Sequence, residues 1–227
     1  MQLVEFTSKG MYCPPADVYI DPHNAVNKAI ITHAHADHAR SGHKSYICPE
    51  GSLPLIKLRL GRHIQATSYT YGQSFSINGV EFTFFPAGHV VGSAQVRIEY
   101  KGEIWVVSGD YKVEADGLTE ALEPVKCHCF ITESTFGLPI YNWQAQDTIT
   151  QEIKLWWQEN KENQKPSLIS AYSLGKAQRL IHMLANEPIG PVYAHSTILK
   201  TNEIIQKLGY DLPAVQPIPA RWKENEW

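Results

Sequence analysis

The hydrophobic period of this chain changes near Glu133, and that change limits its fold more than any other feature. Before it, apolar residues come in short runs separated by turns. Residues 28–32 form a compact run. Residues 81–85 and 94–100 read as strands, and Lys101-Gly102 as a hairpin turn into a strand over 103–108. A further apolar strand spans 129–132, and 52–60 predicts one helix. After Glu133, Ile149, Ile153, Trp156 and Trp157 recur at helical spacing over 148–160, with Thr148 and Gln151 fitting a capping box. A strand over 167–170, a helix from Ser173 to about 185, a strand over 191–194 and a helix from Ser196 to Gly209 follow. Alternation of this kind predicts a small parallel α/β unit. A composition break over 137–146 divides the expected domains into 1–137 and 138–227, in an α/β fold class that some schemes would call α+β. No element is expected over 211–227. Because two strands make a thin independent layer, further sequence is expected after residue 227.

Composition excludes several classes. With 43% hydrophobic and 19% charged residues, 227 residues can bury a core, and disorder is excluded. A net charge of −3 argues against a uniformly basic coat but leaves room for a local basic groove. No apolar run approaches the roughly 20 residues that span a bilayer, and the first ten residues lack a secretory layout, so no membrane partner and a cytoplasmic location are expected. The four cysteines, Cys13, Cys48, Cys127 and Cys129, form no C-x-x-C pair and read as reduced thiols. Cys127-His128-Cys129 lacks neighbours to complete a zinc shell. Gly175-Lys176 lacks the rest of a phosphate-binding P-loop.

The chemistry concentrates in Thr32-His33-Ala34-His35-Ala36-Asp37-His38, directly after a strand. Imidazoles two residues apart on extended chain point the same way, while Asp37 and His38 follow where the chain leaves the sheet. Two imidazoles do not complete a metal shell. His89, in a glycine-containing loop between two strands, and Asp110, in Ser108-Gly-Asp110 at a strand end, are the candidate further ligands. A carboxylate can bridge two cations, and His33, His35 and His89 can fill one side while Asp37 and His38 contribute to the other. Arg40, Lys44, Arg59, Arg62 and Lys112 are equally readable as a phosphate-binding rim or a solvated face. Tyr141 and Trp143 suit base stacking at a strand entrance, or packing at a hinge, the commoner role.

These residues carry a resemblance. The His33–His38 cluster, His89 in Gly-His-Val-Val-Gly-Ser-Ala and Ser-Gly-Asp110 resemble the metal motifs of the metallo-β-lactamase fold. Glu133-Ser-Thr-Phe-Gly137 and Leu174-Gly-Lys-Ala-Gln-Arg179 resemble the β-CASP nucleases within it. Gly10–Pro14, Ile31–His43, Trp105–Lys112 and Phe130–Trp143 are similar to bacterial ligase-associated DNA exonucleases. The resemblance implies an αββα sandwich with a partial β-CASP insert and two divalent ions, with zinc suiting the His-rich set and manganese compatible. It implies His33, His35 and His89 on one metal, Asp37 and His38 on the other, and Asp110 as the bridge. Catalytic roles then fall to Asp37, Asp110 and Glu133, with Arg40 and Lys112 as possible phosphate contacts. Glu133 matches the β-CASP acidic motif, which supports a catalytic histidine rather than binding metal.

The implied activity is metal-dependent phosphodiester hydrolysis, favouring a DNA exonuclease in repair, associated with a DNA ligase and helicase. RNA is the alternative nucleic-acid substrate. The family's closing Ser-Asp-His and Thr-His-Gly motifs do not occur in these 227 residues, so the sandwich is expected to be incomplete at its C-terminal end. An inactive fragment or binding module is therefore a third reading. His182 and His195 do not match those motifs and read as structural or surface residues.

Overall fold

The computed structural model describes residues 2–185 and 188–219, and it divides into two compact units, Met1–Glu133 and Ser134–Trp227. The first unit carries two sheets. One has six strands in sequential order: β1 (Glu5–Thr7), β2 (Gly10–Cys13), β3 (Val18–Ile20), β4 (Lys28–Ile30), β5 (Ser45–Pro49) and β6 (Ala66–Tyr69). Its first three strands pair antiparallel, and β3 through β6 pair parallel. Helix α1 (Leu53–Leu60) makes the parallel crossover from β5 to β6.

The second sheet holds β7 (Ser74–Ile77), β8 (Val80–Pro86), β9 (Ala94–Tyr100), β10 (Glu103–Val107) and β11 (Cys129–Ile131), with β11 at one edge and β7 at the other. The β9–β10 hairpin turns on Lys101 and Gly102, both at positive φ, as an Xaa-Gly two-residue turn requires. Only β10 and β11 run parallel. The two sheets share one apolar cluster: Cys13, Val18, Ile20 and Ile30 from the first meet Phe82, Phe84, Val96, Ile98 and Val107 from the second. Fully burying each of the larger of these side chains contributes about 2–3 kcal/mol. Phe75 stacks against both Tyr69 and Phe82, joining the far ends of the sheets. The chain is thus a mixed α/β protein whose first unit is built on two facing sheets.

The second unit contains α2 (Gln146–Glu162), α3 (Lys176–Leu184), β12 (Tyr193–Ala194), α4 (Ser196–Lys207) and β13 (Gln216–Pro217), with β12 and β13 paired parallel. Several expectations change here. Thr148 lies inside α2, whose N-cap is Ala145, so the Thr148/Gln151 box does not form. Residues 167–170 form no strand, and Leu168 is 90% exposed. Ser173 does not cap α3. Gly175 does, its N–H donating to the Gln178 side chain at 2.7 Å. His195, not Ser196, caps α4, its Nδ1 accepting from the Thr197 backbone N–H. The short strand β13 lies in the tail that was expected to lack elements, whose residues 220–227 fall outside the described set.

Candidate metal centre

The candidate residues sit on connections that leave the sheets beside one another. His33 to His38 follow β4, His89 lies between β8 and β9, and Asp110 follows β10. The Ala94 N–H at the start of β9 donates to the Thr32 carbonyl at 3.0 Å, joining the two sheets next to His33. At Gly109 the fit is closer still. A Cβ there, at φ 56°, would lie 2.8 Å from Thr32 Cβ, so the turn that delivers Asp110 admits only glycine.

His33 Nε2, His35 Nδ1, His89 Nε2 and an Asp110 oxygen converge, with all four donor atoms within 4.8 Å of one another. His35 Nδ1 is 3.1 Å from His33 Nε2 and 3.2 Å from His89 Nε2. Asp110 Oδ2 is 3.6 Å from His89 Nε2 and 3.9 Å from His33 Nε2. Ligands held at 2.0–2.1 Å from a tetrahedral ion lie about 3.3 Å apart, so these separations fit a single divalent cation. The other carboxylate oxygen faces elsewhere: Asp110 Oδ1 is 3.2 Å from His38 Nε2, which is 3.7 Å from Asp37 Oδ2. Asp110 therefore presents one oxygen to each group of donors.

A buried carboxylate that the motif reading passed over organises both groups. Asp21, at the end of β3, accepts from the Thr32 N–H at 2.8 Å and the Thr32 hydroxyl at 2.6 Å, and its Oδ2 lies 2.7 Å from His38 Nδ1. With its proton given to Asp21, Thr32 Oγ1 can only accept from His33 Nδ1, 3.0 Å away. The network thereby assigns His33 the Nδ1–H tautomer and leaves its Nε2 lone pair facing His35. Asp21 adopts φ 43°, an unfavourable region for a non-glycine residue that these three bonds hold in place. Its only sequence signal was a polar residue ending the short strand before Pro22.

Electrostatics follow burial and pairing. Complete burial, with His38, His35 and His89 nearby, holds His33 well below the usual histidine range. Burial and His35 lower His89 to about 4 despite Asp110. Burial opposes charge on His38 too, but its bonds to Asp110 and Asp21 outweigh that and push it up to about 10. Burial raises Asp110, yet His38 and the other imidazoles bring its net pKa below the ordinary carboxylate value.

The remaining candidates are placed as follows. Asp37 is largely exposed beside His38. Arg40 is exposed and donates to the Asp37 carbonyl at 3.2 Å. Lys112 pairs with the buried Asp116 carboxylate, so its ammonium already has an anion. Glu133 follows β11, and its N–H donates to Ser108 Oγ at 3.3 Å, which sets it beside the turn carrying Asp110. Tyr141 and Trp143 are exposed, near-parallel at 10°, and both edge-on to Phe136. His182 lies in α3, and His195 is the α4 cap.

No family model matches the chain. It is 27% identical over 209 residues to a protein of Opitutus terrae named "Probable DNA ligase", which covers 91% of this chain and 20% of that protein. An RNase J-like protein of Methanocaldococcus jannaschii is 25% identical over 189 residues, covering 71% of this chain and 44% of the relative. Endoribonuclease YSH1 of Saccharomyces cerevisiae is 32% identical over 128 residues, covering 50% of this chain and 15% of the relative. Two of these three relatives carry nuclease names. The chain spans less than half the length of each. Its fold is shared with a solved structure of a protein of unknown function from Enterococcus faecalis V583, at a TM-score of 0.57 and 10% identity, covering 88% of this chain and 55% of that one.

Proposed function

We propose that this chain bears the metal centre of a metallo-β-lactamase-fold nuclease of the β-CASP branch, with residues 1–137 as core and 138–227 as a partial β-CASP domain. The observation that carries the reading is the divided Asp110 carboxylate, one oxygen toward His33, His35 and His89 and the other toward His38. Such a carboxylate suits a bridging ligand between two cations. His33, His35 and His89 would hold one ion, Asp37 and His38 the other, and Asp110 both. The nitrogen-rich set fits zinc, and manganese is compatible.

When bound, two divalent ions supply Lewis acidity to a phosphodiester and generate a nucleophile from water near neutral pH. The chain's own residues prepare for that chemistry. Asp21, directly and through Thr32, fixes the orientation of His38 and His33. The tight packing of His33, fully buried, keeps its imidazole neutral and able to donate a lone pair. Glu133 follows β11 close to the turn that carries Asp110, and its motif implies that it would support a catalytic histidine. Arg40, exposed next to Asp37, would meet a phosphate of the bound strand.

DNA is the favoured substrate, because the Opitutus relative named for DNA ligation aligns with 91% of the chain. End-directed hydrolysis in repair, associated with a ligase and helicase in the cytoplasm, is the fullest form of the reading. The alternative substrate is RNA, supported by the YSH1 and RNase J-like names. No helix among the described residues is long and apolar enough to cross a membrane.

The test is the metal-loaded full-length protein on matched end-labelled DNA and RNA. Progressive shortening of DNA, abolished by Asp110→Asn, is expected. Equal activity of Asp110→Asn, or no metal uptake by the unaltered protein, would overturn the reading. Preferential RNA cleavage would move the substrate to the alternative.

A further inference from the structure

The connection after Asp110 is folded around a buried acid. Asp116, whose side chain is 2% exposed, accepts from the Leu118 N–H at 3.0 Å and the Thr119 N–H at 2.9 Å, and pairs with Lys112 Nζ. The Thr119 hydroxyl lies 3.0 Å from Asp116 Oδ1 and 3.1 Å from the Gly88 carbonyl, so its one proton serves either acceptor. Gly88 immediately precedes His89.

Other bonds fasten the same two segments. The Lys112 N–H donates to the Ala87 carbonyl at 3.0 Å, and the Glu123 N–H to the Pro86 carbonyl at 3.2 Å. Gln95 Nε2 bridges the Pro86 and Glu123 carbonyls at 2.9 and 2.8 Å. A Cβ at Gly88 would lie 2.5 Å from the Lys112 carbonyl oxygen, so the two backbones are in direct contact. His89 and Asp110 are 21 residues apart in sequence, and this belt joins their loops.

We infer that Asp116, with Lys112, is a positioning residue that sets the separation of His89 from Asp110 and thereby the geometry of the metal centre. The inference rests on the metal reading above. The Asp116 carboxylate gathers 112, 118 and 119 into one compact turn, and that turn delivers Thr119 to Gly88 and the Lys112 backbone to Ala87. Without the charge at 116, Lys112 loses its buried partner and the turn loses its centre. His89 and Asp110 then become free to separate. Lys112 accordingly acts inside the fold through Asp116.

Cobalt(II) titration of the 227-residue chain tests this, because the visible absorption of the bound ion reports its coordination geometry independently of activity. Since Asp116→Ala removes a buried acceptor and risks not folding, the isosteric Asp116→Asn and the charge-deleting Lys112→Met carry the test. Both are expected to bind cobalt about 10- to 100-fold more weakly than the unaltered chain, with an altered spectrum. Phe82→Leu, a core substitution within β8, controls for general loss of stability and should keep the unaltered spectrum. The inference is overturned if Asp116→Asn and Lys112→Met keep the unaltered affinity and spectrum, or if Phe82→Leu changes both as much. If the unaltered chain binds no cobalt, the underlying metal reading fails, and the inference with it.

Discussion

Asp21 Oδ2 lies 2.7 Å from His38 Nδ1, in a carboxylate–imidazole pair that joins the end of β3 to the motif after β4. Partners of this kind fix ring orientation and raise ligand basicity. Asp21→Asn should therefore lower the His38 pKa from about 10 in the metal-free chain, readable in an NMR titration of its ring protons. Metal affinity should fall about 10- to 100-fold. An unshifted His38 titration would contradict the assignment of Asp21 as its anchor.

The histidines also make the stability of the metal-free chain depend on pH in two opposite directions. His33 and His89 have depressed values, so the unfolded chain takes up protons first on acidification. Their contribution is present above about pH 6.5 and is lost as pH falls toward about 4. His38 is raised, so its contribution is complete below about pH 6.5 and is lost as pH rises through about 10. Thermal melting of the metal-free chain should show a maximum near pH 6.5 and a decline on both sides. His38→Gln should flatten the alkaline limb and leave the acid limb in place.

Ser93 holds the His89 loop from within. Its buried Oγ accepts from the His89 N–H at 3.1 Å and the Val90 N–H at 3.2 Å, and its carbonyl accepts from Tyr71 at 2.8 Å. Ser93→Ala orphans two backbone donors and should cost about 1–3 kcal/mol in urea denaturation. Ser93→Thr keeps the oxygen and should recover metal affinity where alanine does not.

In the second unit, Gln178 joins three segments. Its side chain accepts from the Gly175 N–H and donates to the Ser173 carbonyl at 3.0 Å and Asn202 Oδ1 at 2.8 Å. Gln178→Ala should destabilise that unit by about 2–3 kcal/mol and speed amide exchange in α3 and α4. Exchange in β8 and β9 should not change.

Legibility varied with the length and regularity of each element. Strands β8, β9 and β10, five to seven residues long and joined by a marked turn, could be read from their alternation. In the six-stranded sheet only β4 stood out, as a compact apolar run, whereas β1 and β3, three residues each, are too short to show a period. The box at Thr148 and the cap at Ser173 had the right residue types in the wrong register: α2 begins two residues before Thr148, after an Ala145 N-cap that makes no side-chain bond, and α3 begins after Gly175. His33 to His38 stood out as a local motif, whereas Asp21 and Asp116 are single carboxylates with no local pattern.

The amino-acid sequence alone determined which residue types are available for metal chemistry and that they lie at the ends of strands. Motif spacing and backbone direction are local properties. Only the tertiary structure decided that His89 and Asp110 reach the His33 cluster, that Asp110 divides its oxygens between two groups of donors, and that Asp21 governs the tautomers. Those relations depend on the pairing of strands far apart in sequence and on burial, which raises the cost of an unpaired polar group and so imposes one arrangement.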